Sequence, residues 1–98
     1  MMGCALSAAL CALAPGAVIA RRTERDWHSA TFSGKRVTLD LKWEASPQEV
    51  HDFANIIGEH EFELGDQIVA DIVVRRQTNR VENEIILTVE ALLLHDDA

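Results

Sequence analysis

Four histidines have the chemistry to bind a metal ion, but their spacing does not bring three of them together. They are His28, His51, His60 and His95. A zinc site needs three or four ligands that converge on one point. His51 and His60 are nine positions apart, which is not the i, i+4 spacing that places two side chains on one face of a helix. The sequence therefore predicts surface or structural histidines and no metal site.

The carboxylates, cysteines and glycines predict no catalytic residue and no cofactor-binding residue. Paired carboxylates act as general acid and base when burial moves their pKa values apart, but Glu59, Glu61 and Glu63 lie in a polar connection. Asp71 interrupts an apolar run, and alternation places it on the outer face of a strand. Both cysteines fall within the first eleven residues, and the sequence has no GxSxG or glycine-rich phosphate motif. These patterns favour a non-enzymatic protein.

Length and composition indicate one small, acidic, folded domain. A chain of 98 residues provides for a single core, and 48% hydrophobic with 26% charged residues is typical of globular proteins. The formal net charge of -7 opposes binding to nucleic acid or to an acidic membrane. If the helix crosses the sheet, the basic residues near 35–36 and near 75–80 lie at opposite ends. We therefore expect neither a nucleic-acid nor a membrane partner.

Residues 1–20 form an apolar leader that lacks the features of a secretory signal or a membrane span. The first basic residue is Arg21, so no basic segment precedes the apolar one. Pro15 and Gly16 would interrupt a membrane helix near its middle. The favoured interpretation is a poorly ordered or loosely docked leader. A helix to about Ala14 that covers an apolar surface and a degenerate targeting segment are the alternatives.

This interpretation divides the chain into two parts. Residues 1–26 are expected to be the leader and a charged bridge, and the leader, residues 1–20, is expected to be dispensable for folding. Residues 27–98 are expected to be one α+β domain. With no cysteine pair that could cross-link this domain, a cytoplasmic location is the default expectation.

An alternating pattern over residues 27–43 predicts a first β-hairpin. Ser33-Gly34 suits a two-residue turn, and alternation on both sides of it collects the apolar residues on one face. The predicted opposite pairs are Ala30 with Val37 and His28 with Leu39.

The segment Ser46-Pro47-Gln48-Glu49 predicts the start of a helix. Ser46 can cap the exposed amides, Pro47 suits the first helical position, and Glu49 closes a capping box. Gly58 suits a left-handed residue that ends the helix. The apolar stripe between these signals has the i, i+3, i+4, i+7 spacing of a helix face and consists of Val50, Phe53, Ala54 and Ile57.

Two further β-rich runs, residues 67–76 and 81–94, predict a second hairpin with a turn at Thr78-Asn79. Its predicted inner pairs are Ala70 with Leu87, Ile72 with Ile85 and Val74 with Asn83. The order β-β-α-β-β then predicts an α+β fold, in which one four-stranded sheet of two hairpins has one helix packed on one face. A helical crossover would make the second and third strands parallel, whereas a return of the chain after the helix would keep all neighbours antiparallel.

Part of the chain resembles a family of small uncharacterised bacterial proteins. The resemblance rests on Trp27-His28-Ser29-Ala30-Thr31-Phe32-Ser33-Gly34, on Leu64-Gly65 and on Ile68-Val69-Ala70-Asp71-Ile72. It covers residues 27 to 74 and implies a similar opening hairpin and a similar third strand. It implies no activity, cofactor or catalytic residue.

The outer face of the second hairpin predicts an interface. More apolar side chains point there than a sheet covered on one side should leave in water, and the run Ala91–Leu94 lacks charges that would protect a strand edge. We expect a homo-oligomer or a complex with another protein, unless the leader helix covers this face. The candidate interface residues are Val69, Val73, Ile86, Leu92 and Leu94.

A second hypothesis is a ligand-binding or catalytic pocket between helix and sheet. Asn83 is the one polar residue predicted on the inner face of the second hairpin. His28 and Trp43 are predicted to lie near it. The candidate pocket residues are therefore His28, Trp43 and Asn83.

Overall fold

In the computed structural model, the described part of the chain forms two helices and four strands. The structure describes residues 5–62, 64–65, 67–79 and 84–95. The elements are α1 (Ala5–Leu13), β1 (Val18–His28), β2 (Ser33–Glu44), α2 (Pro47–Glu59), β3 (Gln67–Asn79) and β4 (Glu84–His95). All strands belong to one antiparallel sheet with the order β1-β2-β4-β3. The predicted α+β class and four-stranded sheet are confirmed, and of the two open connections the antiparallel one is formed.

The apolar strand β4 lies inside the sheet, between β2 and β3. Leu87 and Val89 pair with Leu41 and Leu39 of β2, and Val89 also pairs with Val74 of β3. Alternate residues along β4 are buried, which is the period-2 pattern of a sheet with one covered face. The strongly charged strand β1 occupies an edge instead, where its charges remain in water.

Both helices pack on the same face of the sheet, here called the inner face; the opposite face is the outer face. The α2 residues Val50, Phe53 and Ile57 are buried in the core, and the rings of Phe53 and Trp43 meet edge to face with centroids 5.6 Å apart. The predicted helix stripe is confirmed except at Ala54, which is exposed. The buried sheet residues are Val37, Leu39, Leu41, Trp43, Ile85, Leu87, Val89, Ala91 and Leu93.

Helix α1 is part of this core, so the loosely docked leader is not confirmed. Leu6, Leu10 and Ala14 are at most 1% exposed and lie in the same apolar cluster as the buried side of α2. Trp43 Nε1 donates a hydrogen bond to the Pro15 carbonyl oxygen at 3.0 Å, which fixes the turn after α1. The structure matches the alternative in which a helix to about Ala14 covers an apolar surface.

The dimensions of the sheet explain why one helix is insufficient. The 13 residues of α2 span about 20 Å, whereas strands of 11 to 13 residues span about 40 Å. Helix α2 packs beside β3 and helix α1 beside β1. The predicted one-helix layout is not confirmed, since α2 alone would leave much of the apolar inner face in water.

The first hairpin is longer than predicted and turns at a different place. Strand β1 begins at Val18, so the charged bridge becomes part of the sheet. Ser29 organises the turn: its Oγ accepts a hydrogen bond from the Phe32 N–H at 3.0 Å, and its own N–H donates to the Phe32 carbonyl at 2.8 Å. The predicted turn at Ser33-Gly34 is wrong, since both residues belong to β2. The residues opposite Val37 and Leu39 are Glu24 and Arg22 instead of Ala30 and His28.

The second hairpin has the predicted inner face along β4 but a different register. Ile72 pairs with Ala91 rather than Ile85, a displacement of six positions along β4. A displacement by an even number keeps every β4 side chain on its face, so alternation alone does not exclude it. The predicted pairing of Val74 with Asn83 is also wrong, because Val74 pairs with Val89; Asn83 itself lies outside the described residues.

The start of α2 agrees with the prediction and its end does not. Ser46 Oγ accepts a hydrogen bond from the Glu49 N–H at 3.2 Å, and Glu49 Oε1 accepts one from the Ser46 N–H at 2.9 Å, which completes the capping box. Gly58 lies within the helix, which ends at Glu59 and is followed by His60 with a φ of -75°. The helix therefore ends without the predicted left-handed glycine.

We predict that Ser46→Ala lowers the free energy of unfolding by about 1 kcal/mol, because the Glu49 N–H loses its acceptor. Urea unfolding followed by circular dichroism measures the change. Thr31→Ala, which removes a hydroxyl from an exposed turn outside any helix, is the control and should have an effect within about 0.5 kcal/mol. Equal midpoints for the two variants would contradict the role of the cap.

We also predict that Leu10→Ala lowers the free energy of unfolding by about 3 kcal/mol, since the side chain is 0% exposed and its removal leaves a cavity in the core. Leu13→Ala is the matched control in the same helix, where the side chain is only partly buried, and a loss of about 1 kcal/mol is expected. Equal stability of Leu10→Ala and the parent chain would instead support the interpretation that the leader is dispensable for folding.

Candidate interaction surface on the outer face

The strand pairing arranges the outer-face side chains in rows across the sheet. In the central row, Arg21 of β1 lies opposite Asp40 of β2, Asp40 opposite Thr88 of β4, and Thr88 opposite Arg76 of β3. Thr88 Oγ1 donates a hydrogen bond to Asp40 Oδ1 at 2.7 Å. Neither described helix covers these rows, because both pack on the inner face. Two arginines therefore flank a hydrogen-bonded acid and hydroxyl on an open surface.

The neighbouring row is organised by Glu90. Arg75 Nε donates to Glu90 Oε1 at 2.7 Å, and Arg36 Nη1 lies 3.7 Å from the same oxygen. Arg75 occupies the bulge between Val74 and Arg76, which allows two consecutive arginines to line the same surface. One carboxylate thus joins arginines from the two strands that flank β4.

These rows enclose an open hollow of about 560 Å³, here called the arginine hollow. Its polar floor and rim contain three arginines and two carboxylates. The lining residues are Arg21, Thr23, Thr38, Asp40, Arg75, Arg76, Thr88 and Glu90.

The outer face has a different charge balance from the chain as a whole. Its described positions include six basic side chains: Arg21, Arg25, Arg36, Lys42, Arg75 and Arg76. They also include five acidic ones: Asp40, Glu44, Asp71, Glu84 and Glu90. Over its described residues, a chain of net charge -7 therefore presents a slightly basic outer face.

The expectation that the basic clusters stay apart is corrected by this arrangement. Arg36 and Arg75 contact the same oxygen of Glu90 because β4 lies between their strands and because the hairpin registers differ from those predicted. The sequence alone contained no signal for this meeting, since the residues concerned are far apart along the chain.

A second feature of the outer face is an apolar region at one end, here called the apolar end patch. One row joins Trp27, Gly34, Leu94 and Ile68 across the four strands. Ile68 is 51% exposed and Val73 is 36% exposed. The patch consists of Trp27, Ile68, Val73, Leu92 and Leu94.

Three of the five predicted interface residues, Val73, Leu92 and Leu94, lie in this patch. Ile86 is on the outer face but near the other end, opposite Lys42 and Thr78. The outer-face placement of Val69 is wrong: it pairs with the buried Leu93 and packs against the core. The bulge between Val69 and Asp71 reverses the alternation at this point, so Ile68 takes the outward position.

The predicted pairing of two chains through the edge of β4 does not fit the structure, because β4 is not an edge strand. Ala91–Leu94 pair with β2 on one side and β3 on the other. The described edges of the sheet are β1 and β3. At the β1 edge, Lys35 donates a hydrogen bond to Asp26 at 2.9 Å; this bond lowers the pKa of Asp26 and raises the pKa of Lys35. The pair is exposed, so its contribution to stability is small.

The predicted pocket residues are not brought together. His28 is exposed at the end of β1, opposite Ser33, while Trp43 is buried ten positions further along β2, a distance of about 33 Å. Asn83 lies outside the described residues. A groove of about 500 Å³ does lie between helix and sheet, beside the end of α2, where the rings of His60 and Phe62 meet edge to face.

Within the described ranges, no three His, Cys, Asp or Glu side chains are grouped so that they could hold a metal ion. None of the described helices combines the length and the apolar character needed to cross a membrane. No protein-family model, curated protein or solved structure matches the chain.

We predict that Gly34→Ala disrupts the row beneath the apolar end patch. The added Cβ would lie 2.9 Å from Leu94 Cα and closer still to the Leu93 carbonyl oxygen, so β2 and β4 would have to separate. The free energy of unfolding should fall by more than about 2 kcal/mol. Gly58→Ala is the control: nothing lies within 4 Å of its Cβ, and in a helix it should add up to about 1 kcal/mol. Urea unfolding that ranks the two variants in the opposite order would contradict this.

Proposed function

We propose that the chain is a non-enzymatic interaction module that self-associates through the apolar end patch. The observation that carries the proposal is the exposure of Ile68 and Val73 on a sheet face that neither described helix covers. Neighbouring Leu92 and Leu94 extend the apolar surface. Adjoining apolar side chains on an open face are typical of protein interfaces.

The position of the patch suits a second copy of the same chain. A two-fold axis through one end of the sheet stacks the two patches while the two bodies point away from each other. The arginine hollows lie further along the strands than Ile68 and Leu94, so a contact centred on these two residues leaves the hollows of the two chains apart. A surface that contacts its own copy must be complementary to itself, and two stacked apolar patches meet this requirement.

The expected association is weak. Complete burial of an exposed apolar side chain contributes roughly 1.5 to 3 kcal/mol, and most side chains of the patch are already partly buried. Association costs about 4 to 15 kcal/mol in lost freedom, so a few such side chains leave a small net gain. A different protein with an apolar surface is the alternative partner, and a cytoplasmic location remains the expectation for either.

We predict that Ile68→Glu shifts the chain towards the monomer, because it places a charge within the contact. Sedimentation over a wide concentration range measures the dissociation constant. Ile56→Glu is the matched control: Ile56 is 44% exposed on α2, away from the outer face. A parent chain that is monomeric at every concentration, or equal weakening by both variants, would refute self-association through the patch.

A further inference from the structure

We propose that the arginine hollow is a binding site for a small dianionic oxyanion, such as a phosphate group, held by Arg21 and Arg76. This site goes beyond self-association and is formed by a single chain. Arg21 and Arg76 come from the two opposite edge strands and line the same hollow. A ligand between them would therefore join the two sides of the sheet.

Arg21 and Arg76 differ from Arg36 and Arg75 in having no ion-pair partner among the described residues. Arg75 and Arg36 are engaged by Glu90, whereas Arg21 and Arg76 form no ion pair with any described residue. A guanidinium group offers up to five N–H donors in a planar arrangement that matches two oxygens of a phosphate at once. Charge-assisted hydrogen bonds of this kind are about twice as strong as neutral ones.

The floor of the hollow can complete the coordination of an oxyanion. The hydroxyl groups of Thr23 and Thr38 lie in the row next to Arg21, and a threonine hydroxyl can donate to an oxyanion. The Thr88 hydroxyl is already used by Asp40. Unpaired donors therefore lie on the β1 and β3 sides, and the floor supplies two further hydroxyls.

The two carboxylates of the hollow repel a bound anion less than two free carboxylates would, because one of them is ion-paired. Glu90 is neutralised by Arg75, whose Nε lies 2.7 Å from it, and by Arg36 at 3.7 Å. Asp40 is left as the one carboxylate facing two unpaired arginines. The local balance therefore favours a bound anion, and the attraction should weaken as salt is added.

The surroundings limit the ligand to a small one. The chain as a whole carries a net charge of -7, so a polyanion laid across the molecule would meet repulsion beyond the hollow. A single phosphate or sulfate touches only the hollow. A monocarboxylate such as acetate carries half the charge and should bind more weakly.

We predict saturable binding of inorganic phosphate to the full chain. In ¹H–¹⁵N NMR spectra, phosphate should shift the amides of Arg21, Thr38, Thr88 and Arg76, whereas sodium chloride at the same ionic strength should not. Sulfate should reproduce the pattern and acetate should give a weaker one. Shifts that are equal with phosphate and with chloride would overturn the proposal.

Substitutions of Arg21 and Arg76 test whether these two residues form the site. Arg21→Gln and Arg76→Gln should each raise the dissociation constant for phosphate about tenfold, as the loss of a charge-assisted hydrogen bond implies. Arg22→Gln is the matched control, because Arg22 is the next residue along β1, lies opposite the buried Leu39 on the inner side and bonds Glu24. It should change the constant less than about twofold, since only long-range charge is lost.

An Arg22→Gln effect as large as that of Arg21→Gln would show that general charge, and not the hollow, attracts the anion. The same titration on Ile68→Glu separates this site from self-association. Phosphate should bind this variant as it binds the parent chain, because Ile68 lies outside the lining of the hollow. Loss of phosphate binding in Ile68→Glu with unchanged circular dichroism would overturn a site formed by one chain.

Discussion

The position of β4 inside the sheet is the constraint on which both the core and the candidate sites depend. One side of this strand supplies buried Leu87 and Val89 to the core, and the other side supplies Thr88 and Glu90 to the arginine hollow. Pairing on both edges fixes the strand between β2 and β3. A change of register in β4 would therefore alter the core and the hollow together.

Two bulges in β3 then determine which residues reach the outer face. Bulges interrupt strict alternation, so a strand can turn apolar and charged residues in directions that a regular strand would not allow. The first, at Ala70, directs Val69 inward and Ile68 outward. The second, at Arg75, places this residue and Arg76 in the same hollow. The outer surface of the edge strand thus follows from two local irregularities.

Local signals in the sequence predicted some of these features and missed others for identifiable reasons. The capping box at Ser46 was predictable because all of its atoms lie within four consecutive residues. The inner faces of β2 and β4 were predictable from alternation. The register between Ile72 and Ala91 was not, because alternation permits even displacements.

The role of α1 was missed for a different reason. Leu6 and Leu10 are buried because the sheet is longer than α2 can cover. No pattern within residues 1–20 indicates the length of the sheet. The candidate sites depend on register as well: the row from Arg21 to Arg76 exists only when all three strand pairings are correct.

The outer face remains open because it is an unfavourable surface for α1. An apolar helix over the central row would remove Arg21, Asp40 and Arg76 from water, and burial of such charges costs several kcal/mol for each one that lacks a partner. On the inner face the same helix joins the apolar cluster that contains Leu39 and Leu41. The polar rows therefore direct α1 to the other side and keep the arginine hollow accessible. The apolar end patch lacks this protection, so the proposed second chain would replace water there and not over the hollow.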